Sequence, residues 1–371
     1  MDFDLPPADD PRRTEVREWL ELHPHPTGTD LRDAGYVVPH WAPPWGLGAD
    51  IEHQLIIDEE LAGVAMPDNP IGIGWAAPTI LAGGTDQQKE RFLPSLLSGE
   101  EYWCQLFSEP GAGSDLASLT TRAVRDGDTY VINGSKIWTT WAHKADWGIL
   151  LARTDPDAPK HQGITYFLLD MKTDGVETRL IQEMTGQAHF NEVFLTDVRV
   201  PVEHRIGQEG EGWTFANITL GNERVSLSEG GVLWGMGPTA VEFFDMLRSH
   251  GVTDPLHRDR AAKIYTEARI LQLLGYRIAT QIKAGESPAT VAALKKFVAD
   301  QHGQKLMSLA KDLRGPAGLV GPQRDGSEED DIWHWGYLFS RALTIGGGTT
   351  QVLRNIIGER ILGLPKEPQP S

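Results

Sequence analysis

The stretch EYWCQLFSEPGAGSDLASLTT (101–121) offers more chemistry than any other in this sequence. An apolar run there gives way to a Gly- and Ser-rich turn. Such a turn directs backbone N–H groups and hydroxyls outward and suits a polar, anionic or heteroaromatic ligand. Soon after, KIWTTW sets Trp138 beside Thr139 and Thr140, an aromatic face next to two hydroxyls. A strand tryptophan more often packs in a core, and GAGSD is more often an ordinary turn, so neither segment fixes a ligand alone. A second candidate is GNERVSLSEGG. At helical spacing Leu220, Glu223, Leu227, Gly230 and Trp234 share one face, so Glu223 interrupts an apolar stripe beside two glycines that could admit a ligand. Most of the 52 acidic side chains are solvated charges. A carboxylate on an apolar face is instead placed for acid–base work, because burial raises its pKa toward neutrality.

Other candidates are weaker. There is no strand-linked GxGxxG and no P-loop signature. His23 and His25 lie in a proline-locked HPHP run without further ligands nearby, and Cys104 sits in an apolar run as a small hydrophobe. No metal site is expected.

Three zones must position these residues. In residues 1–100, Ile51, Leu55, Ile56 and Leu61 recur near helical spacing with Gly63 as a C-cap. Thr85 or Asp86 then caps a helix that turns Phe92 and Leu93 inward. VPHWAPPWGLG (38–48) holds too much Pro and Gly for a regular element. Residues 101–205 change period. TYVIN, KIWTTW, WGILLA, ITYFLLD and EVFLTDVRV read as strands of an antiparallel β domain. Asn133-Gly134 reads as a two-residue hairpin turn, with Gly127-Asp128 and Asp155-Pro156-Asp157 as further turns. Over 206–371 helices return. Ile264, Ala268, Leu271, Leu274 and Ile278 form one stripe; Ser287-Pro288 starts another helix, with stripe Val291, Leu294, Phe297 and Val298. GPAGLVGPQRDGSEED (315–330) reads as a loop. The fold class is α+β, ordered as helices, β domain, helices.

Composition narrows the class. A chain of 371 residues suggests two or three domain-sized units. The 34 basic and 52 acidic side chains leave a net charge of −18, which argues against a nucleic-acid binder and against docking on an anionic membrane. One cysteine cannot form an internal disulfide, and no apolar run approaches the ~20 residues of a membrane span. The opening MDFDLPPADDPRRTE lacks a signal pattern, so a soluble cytoplasmic protein is expected.

Four runs, SEPGAGSDLASL, INGSKIWTT, FNEVFLTDVRVP and IGGGTTQVLRNIIGERILGLP, resemble the acyl-CoA dehydrogenase family, in the same order between roughly residues 38 and 365. The resemblance implies an N-terminal helical domain, a middle β domain and a C-terminal helical bundle, with FAD held non-covalently. It assigns Gln105, Leu106, Phe107, Ser108, Gly113, Ser114, Trp138, Thr139, Thr140, Thr349 and Gln351 to the cofactor. Of these, Gln105, Phe107 and Ser108 line the flavin's pyrimidine side, Trp138 packs on the isoalloxazine and Thr140 approaches N5. Ser114, Arg224 and Gly347 are assigned to the acyl-CoA. The implied reaction removes the α-proton to a carboxylate while the β-hydrogen leaves as hydride to flavin N5. Preorganised donors must hold the thioester oxygen, since a bare α-proton is weakly acidic.

The chain departs from the commonest family pattern twice. Many relatives carry the base in a terminal Tyr-Glu-Gly-Thr motif, whereas this chain reads Ile345-Gly346-Gly347-Gly348-Thr349. A minority supply it from an earlier helix in a Glu-Arg pair, which Glu223-Arg224 match, so Glu223 is assigned as base. The Gly347 N–H stays available to polarise the thioester carbonyl. In homotetrameric relatives a neighbour grips FAD's adenosine half through Arg-x-x-Phe-Gly and Gly-Gly-x-Gly segments. Neither survives in 246–259 or 315–330, and Arg248 is a poor substitute. This combination resembles the base-bearing subunit of the α2β2 acyl-CoA dehydrogenases that act on sterol side chains in actinobacteria. It implies an unlike partner subunit, electron-transfer flavoprotein as acceptor, and a bulky CoA thioester, with which Gly230, Gly231, Gly346 and Gly347 are compatible. The alternatives are an acyl-CoA oxidase or flavin monooxygenase of similar fold, and a non-catalytic subunit.

Overall fold

The computed structural model describes residues 6–229, 232–286, 289–319 and 332–366. Two compact units meet in sequence at residues 222 and 223, inside one helix.

The first unit begins with helices α1 (Pro11–Leu22), α2 (Gly28–Asp33), α3 (Ile51–Glu60), α4 (Ala77–Gly83) and α5 (Asp86–Ser98). Their ends follow local capping chemistry. Asp50 accepts from the His53 N–H, and Thr85 with Gln88 forms a reciprocal capping box. Gly99 closes α5 in the left-handed region, at φ +78°. Phe92 and Leu93 turn inward as expected, and 38–48 forms no regular element. Gly63 lies beyond the C-cap of α3, which is Leu61.

Eight strands follow: β1 (Trp103–Leu106), β2 (Arg122–Asp126), β3 (Thr129–Thr140), β4 (Trp147–Arg153), β5 (Ile164–Asp170), β6 (Val176–Ile181), β7 (Phe190–Pro201) and β8 (Arg205–Ile206). They make one sheet ordered β6-β7-β3-β2-β4-β5-β8, with β1 added on β4. Pairing is mostly antiparallel, but β1 and β2 each run parallel to β4. The central strands are apolar on both faces because both are covered. Ile149, Leu151, Tyr166 and Leu168 pack with Phe92, Leu93 and Leu96 of α5. The alternate residues Leu150, Ala152, Phe167 and Leu169 pack with Tyr130, Ile132, Val193 and Val198.

The hairpin expected at Asn133-Gly134 is absent. Both residues lie inside β3, where the register against β7 slips between Ile132 and Gly134. A Cβ at 134 would stand 2.5 Å from Thr121 Oγ1 and 2.8 Å from its Cα, so glycine serves a close approach. Asn133 exchanges hydrogen bonds with Asp197, at 3.0 and 2.9 Å. The β2–β3 turn instead uses Gly127, at φ +62°.

In α6 (Gly212–Glu229), the portion belonging to the first unit places Thr219 Oγ1 2.8 Å from Thr79 Oγ1 and 3.0 Å from the Tyr166 hydroxyl. The second unit continues with the rest of α6, then α7 (Ala240–Ser249), α8 (Pro255–Lys283), α9 (Ala289–Leu313), α10 (Ile332–Phe339) and α11 (Thr350–Asn355). The α8 stripe holds, with Ile264 and Ile278 buried and Leu274 packed beside Val291 and Ala292. The α9 stripe holds in part: Val291 is buried and Phe297 and Val298 half-buried, but Leu294 is 36% exposed, and the inward face also carries Lys296 and Asp300, one helical turn apart and paired with each other. Trp234 is not on α6; it sits in a short turn after that helix, in left-handed backbone at φ +56°. Gly230, Gly231, Ser287, Pro288 and residues 320–330 lie outside the described residues. Among the described residues no helix is long and apolar enough to cross a membrane.

Gly134→Ala should lower stability by about 1–3 kcal/mol through overpacking against Thr121. A urea midpoint equal to that of the wild type would show that the bulge tolerates a side chain.

Candidate active site

In the first unit, the loop after β1 is stitched to β3. Lys136 Nζ donates to the Phe107 carbonyl at 3.1 Å and to Glu109 Oε1 at 2.8 Å, and the Ile137 N–H donates to the Ser108 carbonyl at 2.9 Å. Glu109 also accepts from the N–H groups of Thr120 and Thr121, at 2.6 and 2.9 Å. Both side chains are buried. Burial pushes the Glu109 carboxyl up, but the Lys136 charge and these donors outweigh it and hold the group at about 2. Burial draws the Lys136 ammonium down to about 8, against the pull of Glu109.

Beyond this anchor the loop is open. Gly111, Gly113 and Ser114 are exposed, and a Cβ at either glycine would meet nothing within 4 Å. Two residues after Lys136, the register against β7 slips again and Trp138 adopts left-handed backbone at φ +61°. That conformation is uncommon for a bulky residue. Its consequence is an indole 57% exposed, braced edge-on by Phe190 at 6.0 Å. Ser108 and Thr140 are half-buried, as is Gln105. Leu106 and Phe107 are buried in the two cores, and Thr139 is buried with its carbonyl accepting from Asn191 Nδ2 at 3.0 Å. Leu106 and Thr139 therefore offer a ligand backbone and not side chain. An exposed indole, hydroxyls and open glycine backbone suit a flat heteroaromatic ring with polar edges, so the residues present fit FAD. Cys104 is fully buried and its thiol pushed up by burial, as befits a small hydrophobe.

The second unit brings Glu223 and Gly347 together. Glu223 is 6% exposed, and Gly347 is half-buried at φ +64°. A Cβ at 347 would lie 3.5 Å from Glu223 Oε1, 2.5 Å from Leu227 Cδ1 and 2.8 Å from Lys296 Cε. At Gly346 it would strike the Trp234 ring at 2.7 Å. Arg224 follows Glu223; burial lowers its pKa against the attraction of Glu223, and the Arg360 charge lowers it further. Thr349 caps α11, accepting from the Val352 N–H at 3.2 Å. With Gln351, Gln301 and Arg354 it lines a cleft of about 370 Å³. Arg248 is exposed and paired with Asp245.

Two buried pairs, Lys136–Glu109 and Lys296–Asp300, escaped the sequence reading. Lysines are ordinarily solvated, and only the inward register of β3 and α9 marks these two. Burial pushes the Asp300 carboxyl up to about 6, against the pull of Lys296.

Family models match the chain along most of its length: "Acyl-CoA dehydrogenase, N-terminal domain" over 9–100, the middle domain over 104–198 and the C-terminal domain over 210–362. The chain is 46% identical over 338 residues to acyl-CoA dehydrogenase FadE34 of Mycobacterium tuberculosis, covering 91% of this chain but only 46% of that protein. It thus spans about half the length of that relative. Among solved structures, the Tcur3481-Tcur3483 steroid ACAD superposes with a TM-score of 0.81 at 29% identity, over 99% of this chain and 100% of that one. The ChsE4-ChsE5 complex from Mycobacterium tuberculosis gives a TM-score of 0.78 at 30% identity, over 99% and 100%.

Glu109→Gln leaves the Lys136 ammonium buried without its countercharge, which should cost about 3–5 kcal/mol at pH 7. The Glu109 carboxyl sits below its ordinary 4.5, so its stabilisation is complete above that value and drains away as pH falls toward about 2. The gap between wild type and variant in urea unfolding should therefore narrow over that window. A gap independent of pH would mean that the pair is not the acid-sensitive element.

Proposed function

Because the chain belongs to the acyl-CoA dehydrogenase family, whose members are flavoproteins acting on acyl-CoA, we propose that it performs α,β-dehydrogenation of an acyl-CoA thioester with Glu223 as base. The observation that carries this reading is the convergence at position 347. Many relatives extend their carboxylate from that backbone position. Here the Glu223 carboxylate stands 3.5 Å from where a side chain at 347 would begin. Helix α6 thus supplies the acid that the terminal loop lacks. The carboxylate is buried, 6% exposed, beside Leu227. Among the described residues the Gly347 N–H donates to no protein acceptor, which leaves it for the thioester oxygen, where negative charge develops. FAD, when bound, would accept the β-hydrogen as hydride. In the first unit Trp138 would stack against it, with Gln105, Leu106, Phe107, Ser108, Gly113, Ser114, Thr139 and Thr140 along its edges; the resemblance assigns Thr349 and Gln351 to the same cofactor. Arg224 and Ser114 are assigned to the acyl-CoA on the same ground.

The substrate we propose is a bulky acyl-CoA such as a sterol side-chain ester, supported by the run Gly346–Gly348, which projects no side chains, and by the steroid neighbour. An unlike partner in an α2β2 assembly is supported by the missing adenosine motifs and by the two solved structures, each named for a pair of chains. Electron-transfer flavoprotein is the proposed acceptor.

Glu223→Gln in the assembled holoenzyme should cut turnover by ~10²–10⁴ while an enoyl-CoA still binds. Undiminished turnover would place the base elsewhere. Flavin content tests the partner separately. Little FAD on the chain alone, rising to one per unlike pair, supports a shared enzyme, whereas one FAD per chain without a partner overturns it.

A further inference from the structure

We propose that Lys296 is a positioning residue for the oxyanion, acting through the peptide group that joins Gly346 to Gly347. This rests on the reading that the Gly347 N–H meets the thioester carbonyl. Lys296 is wholly buried in α9, and its Nζ donates to Asp300 Oδ2 at 2.7 Å and to the Gly346 carbonyl at 3.0 Å. The Gly346 carbonyl and the Gly347 N–H are opposite ends of one amide. A charged donor on the oxygen draws electron density from the nitrogen and makes its N–H a stronger donor, the ordinary cooperativity of linked hydrogen bonds. The same contact fixes the plane of the amide, so the N–H is aimed before the substrate arrives.

The surroundings fit this role. Lys296 Cε lies 2.8 Å from the point where a Cβ at 347 would stand, and Glu223 Oε1 lies 3.5 Å from the same point. The ammonium stem, the carboxylate and the free N–H are thus gathered around one residue. Asp300, 2% exposed, pairs with the ammonium at 2.7 Å while Nζ keeps its 3.0 Å bond to the Gly346 carbonyl. The Trp234 ring, with its centroid 5.9 Å from Nζ, closes another side of the ammonium. A buried ion pair of this kind is weak as a source of stability. Its value lies in what the ammonium does to the carbonyl.

The test is an isotope-edited infrared difference spectrum of an enoyl-CoA, labelled with ¹³C at the thioester carbonyl, bound to the assembled holoenzyme. In the wild type the carbonyl band should sit below its position in free solution. In Lys296→Met it should move back toward that position, with kcat falling about tenfold, short of the ~10²–10³ lost when an oxyanion donor is removed outright. KM should change less than kcat. Glu223→Gln should keep the wild-type band whatever it does to turnover, which separates this proposal from the assignment of the base. A wild-type band at the free-solution position overturns the placement of the carbonyl on Gly347. A shifted wild-type band that Lys296→Met leaves unmoved overturns the role of Lys296. Should Lys296→Met fail to assemble, Lys296→Gln retains a neutral donor in the same slot; a band moved upward supports the proposal and an unmoved band overturns it.

Discussion

The pair Lys136–Glu109 is the constraint on which the first unit's candidate surface depends. The loop leaving β1 presents carbonyls at Phe107 and Ser108 that no ladder partner takes, and buried carbonyls must be satisfied. Lys136 and the Ile137 N–H of β3 take them, and Glu109 neutralises the ammonium while receiving the Thr120 and Thr121 amides. Loop and strand are thereby locked over three consecutive residues. Only then do the irregular features beyond the lock keep fixed places: the open glycines at 111 and 113 on one side, and Trp138 in its unfavourable backbone on the other.

The second unit repeats the device with different parts. A lysine on an inward helical face is neutralised by a carboxylate one turn along and gives its remaining reach to a carbonyl of a glycine loop. In both units the ammonium holds backbone and not a ligand, and the carboxylate makes its burial tolerable. A long, flexible stem ending in a compact donor can reach a carbonyl across a core in a way that serine or asparagine cannot. Both loops so held are glycine-rich.

Much of this was legible in the sequence, and the failures share a cause. Capping at Thr85, the stripe on α8 and the strands with apolar runs depend on neighbours in sequence, and the structure bears them out. Asn133-Gly134 misled because the dipeptide that favours a tight turn also suits a bulge, and a contact with Thr121, distant in sequence, decides between them. Apolar spacing on α9 does not mark Lys296 and Asp300 as inward, because they satisfy each other inside. Trp234 fell outside α6 because a run of favourable spacing does not reveal where a helix stops. Glu223 was legible as a carboxylate in an apolar stripe; that it stands beside Gly347 was not, since 124 positions separate them and only folding joins them.

Under the proposed chemistry, Gly347 is the counterpart of Glu223 and not a lost acid. A glutamate at 347 would need Leu227 and Lys296 to withdraw, and would hold a side chain at φ +64°, roughly 1–2 kcal/mol less favourable than in glycine. It would also set two carboxylates within a few ångströms, where one of them must take up a proton. If Glu223 is the base, as proposed, glycine in the loop avoids these costs. What the loop keeps is the one group that substitution cannot remove, the amide N–H. Under the proposed chemistry the reaction asks of this region a carboxylate at one point and a donor at another. Helix α6 and the peptide held by Lys296 would meet those demands separately, the carboxylate from one segment and the donor from another.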